Sequence, residues 1–150
     1  MNYNLSLREQ IAENIVTIVS QLDNPRIRLV TREPFEPSRV AITDFPAVLI
    51  QLDQEERETI TMGMGGQGRR QGIMIYGIRG YVRGTEIDKL RNELINGIEL
   101  ALDQDRYLGL FNNGVTDSQL IKIEIVNRAP PLGEIKMEFQ VKYNYERGNS

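Results

Sequence analysis

Between Ser6 and Leu22 the apolar residues Leu7, Ile11, Ile15, Ile18 and Leu22 recur every three or four positions, the period of one helix face. Ser6 and Glu9 have the spacing of a capping box, and Asp23, Asn24 and Pro25 stop the run. The pattern predicts a helix over 6–22. A second stripe, Ile87, Leu90, Leu94, Ile98 and Ala101, predicts another helix, opened by Thr85 as N-cap with Asp88 three residues on.

Elsewhere the period falls to two. "QLIKIEIVN" (119–127) places Ile121, Ile123 and Ile125 on one side, Lys122 and Glu124 on the other. "EIKMEFQVKYNY" (134–145) alternates Ile135, Met137, Phe139, Val141, Tyr143 and Tyr145 in the same way. Both read as strands whose apolar side faces a core, and the short loop "RAPPLG" between them makes them antiparallel. "RIRLVT" (26–31) reads as a short strand, and "AVLIQL" (47–52), entered through Pro46, as a central one, apolar on both parities. "RETITM" (57–62) and "IMIYGIRGYVRG" (73–84) complete the set, with "DQEERE" (53–58) as an acidic turn. In the longer of these, Met74, Tyr76, Ile78, Gly80 and Val82 suit a core; Ile73, Ile75, Arg79, Tyr81 and Arg83 take the opposite parity.

The order is helix, three or four strands, helix, two strands. Two one-striped helices are needed to cover the sheet's apolar side. The expected fold is therefore α+β: a largely antiparallel or mixed sheet of about five to six strands, both helices packed on one face, and a long protruding β-hairpin. One domain spans 1–150, with the hairpin arm at about 57–83 and a frayed C-terminal tail at about 146–150.

The hairpin tip, "MGMGGQGRRQG" (62–72), raises the question of phosphate binding. A phosphate loop needs a helix after the glycines, so that the helix N-terminus and backbone N–H groups meet the phosphates. Here a strand follows, no Lys-Ser/Thr pair closes the motif, and the dinucleotide fingerprint fails for the same reason. The connection is longer than the usual two to five residues of a hairpin. It reads either as a solvated turn or as an arm that orders on a partner. Met62, Met64, Arg69 and Arg70 at the tip, with Ile73, Ile75, Arg79 and Tyr81 beside it, are the candidate contacts to a partner.

Composition narrows the function. Hydrophobic residues make up 40% and charged residues 26%, an ordinary balance for a folded domain. The net charge of −3 is shared between the halves, so there is no basic half or tail for nucleic acid, and the run Arg26, Arg28, Arg32 and Arg39 is diluted by Glu33 and Glu36. With no Cys and no His, thiolate chemistry, disulfides and the usual zinc sites are excluded, as is the common neutral-pH base. Asp44, Asp53, Asp103 and Asp105 are carboxylates that could act as acid or base, but each falls in a predicted turn or loop. The expectation is no enzyme, no cofactor and no metal. No apolar run approaches a membrane span, and the start "MNYNLSLREQ" lacks the look of a signal peptide, so synthesis in a cytoplasm is expected.

In layout the chain resembles the tail terminator, or tail completion, proteins of long-tailed bacteriophages. The resemblance covers nearly the whole chain: the helix "SLREQIAENIVTIVSQL", the proline-rich loop "EPFEPSRVAITDFP", strands flanking the glycine-rich arm, the helix "EIDKLRNELINGIELAL" and the closing pair "QLIKIEIVN" and "EIKMEFQVKYNY". It implies a virion protein, made in the host cytoplasm, that forms a homo-oligomeric ring, typically a hexamer. The ring would cap the tail tube, end its polymerisation and join the tail to the head-side neck. Implied partners are further copies of the chain, the tail tube protein, a neck or connector protein, and a sheath protein if the tail contracts. Genomic DNA would pass through without sequence-specific binding, and no membrane is involved. The alternatives are another neck, tail-completion or adaptor protein of a phage-like injection machine, or a small non-catalytic interaction domain.

Overall fold

The structure, a computed structural model, describes residues 5–59 and 69–146. Helix α1 (Leu7–Ser20) starts where the capping pair predicts: the Ser6 Oγ accepts the Glu9 amide N–H at 3.1 Å. The other half of the box is diverted. The Glu9 carboxylate takes both arms of the Arg32 guanidinium, at 2.6 and 2.9 Å, tying the helix to the chain that follows strand β1 (Leu29–Thr31). Strands β2 (Ala47–Thr59) and β3 (Arg69–Arg83) come next. They are followed by helix α2 (Ile87–Asp103), β4 (Val115–Val126) and β5 (Leu132–Glu146). Helix α2 is preceded by Glu86, which caps without its side chain, rather than by the expected Thr85.

The five strands form one sheet in the order β1-β2-β3-β5-β4. Strand β1 runs parallel to β2, and the other neighbours are antiparallel. This is the expected α+β architecture with a mixed sheet. Both helices bury their stripes in one core. Ile11, Ile15 and Val19 of α1 and Leu94, Ile98 and Leu102 of α2 pack with Met74, Tyr76 and Ile78 of β3 and with Met137, Phe139 and Val141 of β5. Gly80 admits the helix side chain: a Cβ there would lie 2.6 Å from Leu94. The Tyr76 hydroxyl, inside this core, donates to the Arg8 carbonyl at 3.2 Å and pins the start of α1 to the centre of the sheet.

Three expectations are corrected. The acidic segment "DQEERE" is not a turn; β2 runs through it as one strand. A register slip between Leu52 and Gln54 accommodates Asp53 as an extra residue, and the parity resets so that Glu55 lies opposite Met74. The separate strand expected at 57–62 is thus the end of β2, as far as Thr59.

The arm expected at 57–83 is not free-standing over its described length. Strand β3 is paired on one side with β2 as far as Thr59↔Arg70, and on the other with β5 as far as Arg69↔Glu146. The tip, residues 60–68, lies outside the described residues.

Ile121, Ile123 and Ile125 are not buried; they are 42%, 42% and 49% exposed. Ile123 and Ile125 do stand opposite the buried Met137 and Ile135, on the core side of the sheet as their alternation predicts. Among the described residues strand β4 is nevertheless the sheet edge, and these side chains stay uncovered there. Strand β4 slips twice against β5, with Thr116 and Ile121 as the extra residues.

Candidate interaction surface

At the hairpin end of the sheet, two strands and a helix meet on one carboxylate. Glu55 of β2 accepts from the Arg8 Nε of α1 at 2.7 Å, from the Arg57 Nε at 3.3 Å and from the Tyr143 hydroxyl of β5. Arg57 also donates to the Tyr143 oxygen at 3.2 Å, and its guanidinium lies 4.4 Å from the centre of the Tyr145 ring. Between β2 and β5, at the level of Tyr143, β3 contributes Gly72. A Cβ on Gly72 would come within 2.1 Å of the Tyr143 ring, so glycine lets the phenol lie across β3 and reach Glu55. Burial raises the Glu55 carboxyl, but the hydrogen bonds from Arg8, Tyr143 and Arg57 outweigh it and leave the pKa below its ordinary value. Burial, followed by the bond to Glu55, pushes the Tyr143 hydroxyl up to about 12. The cluster fastens β2, β5 and α1 together beside the glycine-rich segment.

The sheet face away from the helices has two parts. One end is covered by the proline-rich segment. Phe35 stacks edge-on against Tyr81 at 5.2 Å, and with Phe45 and Leu29 it packs over Ala47, Leu49 and Tyr81. Beside them lies Glu134, 1% exposed, held by the Arg79 guanidinium at 3.0 Å and the Arg128 Nε at 2.5 Å. The rest of this face carries ion pairs along the strands: Lys122 with Glu124 at 2.6 Å, and Lys136 with Asp53 at 3.9 Å.

The candidate contact residues separate into three groups. Met62 and Met64 lie outside the described residues. Arg69 opens β3, and Arg70 follows it opposite Thr59 and Tyr145. Ile73 and Ile75 are half-buried on the open face, Ile73 between Glu56 and Lys142, Ile75 between Gln54 and Gln140. Arg79 and Tyr81 belong to the covered end: Arg79 is paired with Glu134, and Tyr81 is buried under Phe35. The structure thus brings Arg69, Arg70, Ile73 and Ile75 together at the hairpin end and places Arg79 and Tyr81 apart from them.

The carboxylates considered for catalysis are dispersed. Asp105 accepts the amide N–H groups of Tyr107 at 2.9 Å and Gly109 at 2.8 Å, shaping the loop after α2. Asp53 lies over Gly77, Asp44 ends a 3₁₀ turn, and Asp103 ends α2. Among the described residues no group of three or more acidic side chains could hold a metal ion, and no helix is long and apolar enough to cross a membrane.

Sequence reasoning missed Phe35 and Phe45, whose signal was two aromatic rings in a proline-rich loop. It also missed the Glu55 and Glu134 centres. A glutamate on a polar strand face looks the same in sequence whether it is solvated or held by two arginines.

No protein-family model matches the chain, and neither does any curated protein sequence. Its fold is shared with a solved chain from the virion of a native gene transfer agent (GTA) particle. That match has 8% sequence identity and a TM-score of 0.50, and it covers 95% of this chain and 99% of the other.

Proposed function

We propose that the chain is a structural component of a phage-like virion, a subunit of the ring that caps the tail tube, ends its polymerisation and joins the tail to the neck. The observation that carries this reading is the fold likeness to the gene transfer agent virion chain, which runs over nearly the full length of both chains. The chemistry of the surface agrees with it. The polar clusters at Glu55 and Glu134 are closed on their own arginines and hold strands in place. That suits a rigid building block, because a stiff sheet end can be matched to a neighbour with little ordering cost.

In this reading the hairpin end makes the contact with the tube or the neighbouring subunit, through Met62, Met64, Arg69, Arg70, Ile73 and Ile75. Arg79 and Tyr81 support it from within the chain. A ring closes such a heterologous surface without leaving a free end. Its partners are further copies of the chain, the tube protein and a neck protein, with a sheath protein where the tail contracts. DNA crosses the lumen without sequence readout.

The reading is tested by removing the gene from a genome that produces the particles. Tubes of uncontrolled length, detached from heads, are expected. Normal tails of fixed length would overturn the terminator role, and normal tubes lacking only the head joint would favour the neck or adaptor alternative.

A further inference from the structure

The exposed apolar edge of the sheet plays no part in the ring reading. Strand β4 carries Ile121, Ile123 and Ile125, each more than two-fifths exposed; it slips at Thr116 and Ile121 and is regular only from Lys122 to Val126, a stretch with no proline or glycine. An open apolar edge of this kind offers unpaired backbone groups as well as side chains, and native proteins cover or blunt it.

We infer that the β4 edge is a two-fold contact between two copies of this chain, paired antiparallel with Ile123 opposite Ile123 of the second copy. The register follows from the sequence of the edge. An antiparallel pair centred on residue 123 sets each residue opposite the one equally far on the other side. Within the regular stretch beyond the slip, Lys122 then meets Glu124, twice across the axis, while Ile125 runs out towards the slipped Ile121 of the other copy. Apolar residues face apolar residues and opposite charges face each other, the arrangement that favours a cross-strand pair. Centring one residue later would set Glu124 against Glu124 and Lys122 against Val126. The stretch Lys122–Val126 beyond the slip is in regular register with Glu138–Glu134 of β5, so its outer side is a regular template. Lys122 and Glu124, 2.6 Å apart within one chain, would complete a four-charge cluster across the axis. The contact does not rest on the virion reading: it joins two copies in solution, whereas a ring closes through a different, heterologous surface.

Because the chain has no cysteine, a single introduced thiol reads the register directly. Directly opposed residues of an antiparallel pair have Cα atoms about 4.5–5.5 Å apart, within the span of a disulfide. Ile123→Cys should oxidise to a covalent two-chain species, while Ile125→Cys, which lies two residues from the axis and does not face its own counterpart, should not. In sedimentation, Lys122→Glu and Glu124→Lys should each weaken the pair about tenfold or more, since each sets like charges opposite twice. The double variant Lys122→Glu with Glu124→Lys should restore it. Circular dichroism of each variant checks that these exposed positions leave the fold intact. A wild-type protein that sediments as one chain at every concentration overturns the inference. Equal cross-linking at 123 and 125, or failure of the charge swap to restore pairing, does so too.

Discussion

Ile123 and Met137 face each other in the β4–β5 ladder, yet Met137 is fully buried and Ile123 is 42% exposed. The same parity therefore carries two different consequences. Met137→Asp would bury an unpaired charge and should cost more than about 4 kcal/mol, enough to unfold the domain. Ile123→Asp should shift stability by no more than about 0.5 kcal/mol, as surface substitutions do. Thermal melts at low protein concentration, where association contributes little, compare the two. Unfolding by Ile123→Asp would show that the edge is covered within the chain.

Two glycines of β3 make a matched pair. At Gly72 a Cβ would strike the Tyr143 ring, which is 1% exposed and held by Glu55 and Arg57. Gly72→Ala should displace that ring and cost about 1–3 kcal/mol, the usual penalty of overpacking. At Gly77 the added Cβ would meet the Asp53 carboxylate at 2.4 Å, but that side chain is 41% exposed and can swing outward. Gly77→Ala should therefore cost less than about 1 kcal/mol, because the Lys136 pair it disturbs is a surface one. Denaturant unfolding of the two variants measures the contrast, and equal losses would remove the clamp from the account.

The Glu55–Tyr143 pair sets opposite pH limits. The folded Tyr143 pKa, about 12, is raised above its ordinary value of 10.0, so the native state holds the proton more tightly. That contribution is complete below pH 10 and is lost as pH rises towards 12; the buried Tyr76, raised chiefly by desolvation, acts in the same direction. The folded Glu55 pKa is lowered from 4.5, so its contribution is complete above that value and is lost as pH falls through the lowered one. Tyr143→Phe should flatten the alkaline limb of the stability–pH curve, and Glu55→Gln the acid limb. Unchanged limbs in both variants would show that the pair is open in solution.

The helices, the central strand β3 and the strand pair β4–β5 were legible because period and capping are local signals. The Ser6–Glu9 spacing and the Met74–Val82 alternation each report on a few neighbouring residues. What escaped was set by position in the sheet. Nothing in "QLIKIEIVN" says that it lies at an edge, where its isoleucines stay exposed. Nothing in "DQEERE" says that one extra residue, Asp53, lets a strand continue through a run of acids. The separation of Arg79 and Tyr81 from Ile73 and Ile75 depends on Phe35, which reaches the sheet from a loop far away in sequence.

Electron cryomicroscopy of the tail end of intact particles tests the central claim most directly. The account predicts one closed ring of this chain between the last tube ring and the neck, with the β2–β3 hairpin ends of its subunits against the tube or the adjacent subunit. Absence of the chain from the particle, or its presence as scattered copies on the head shell, would contradict it.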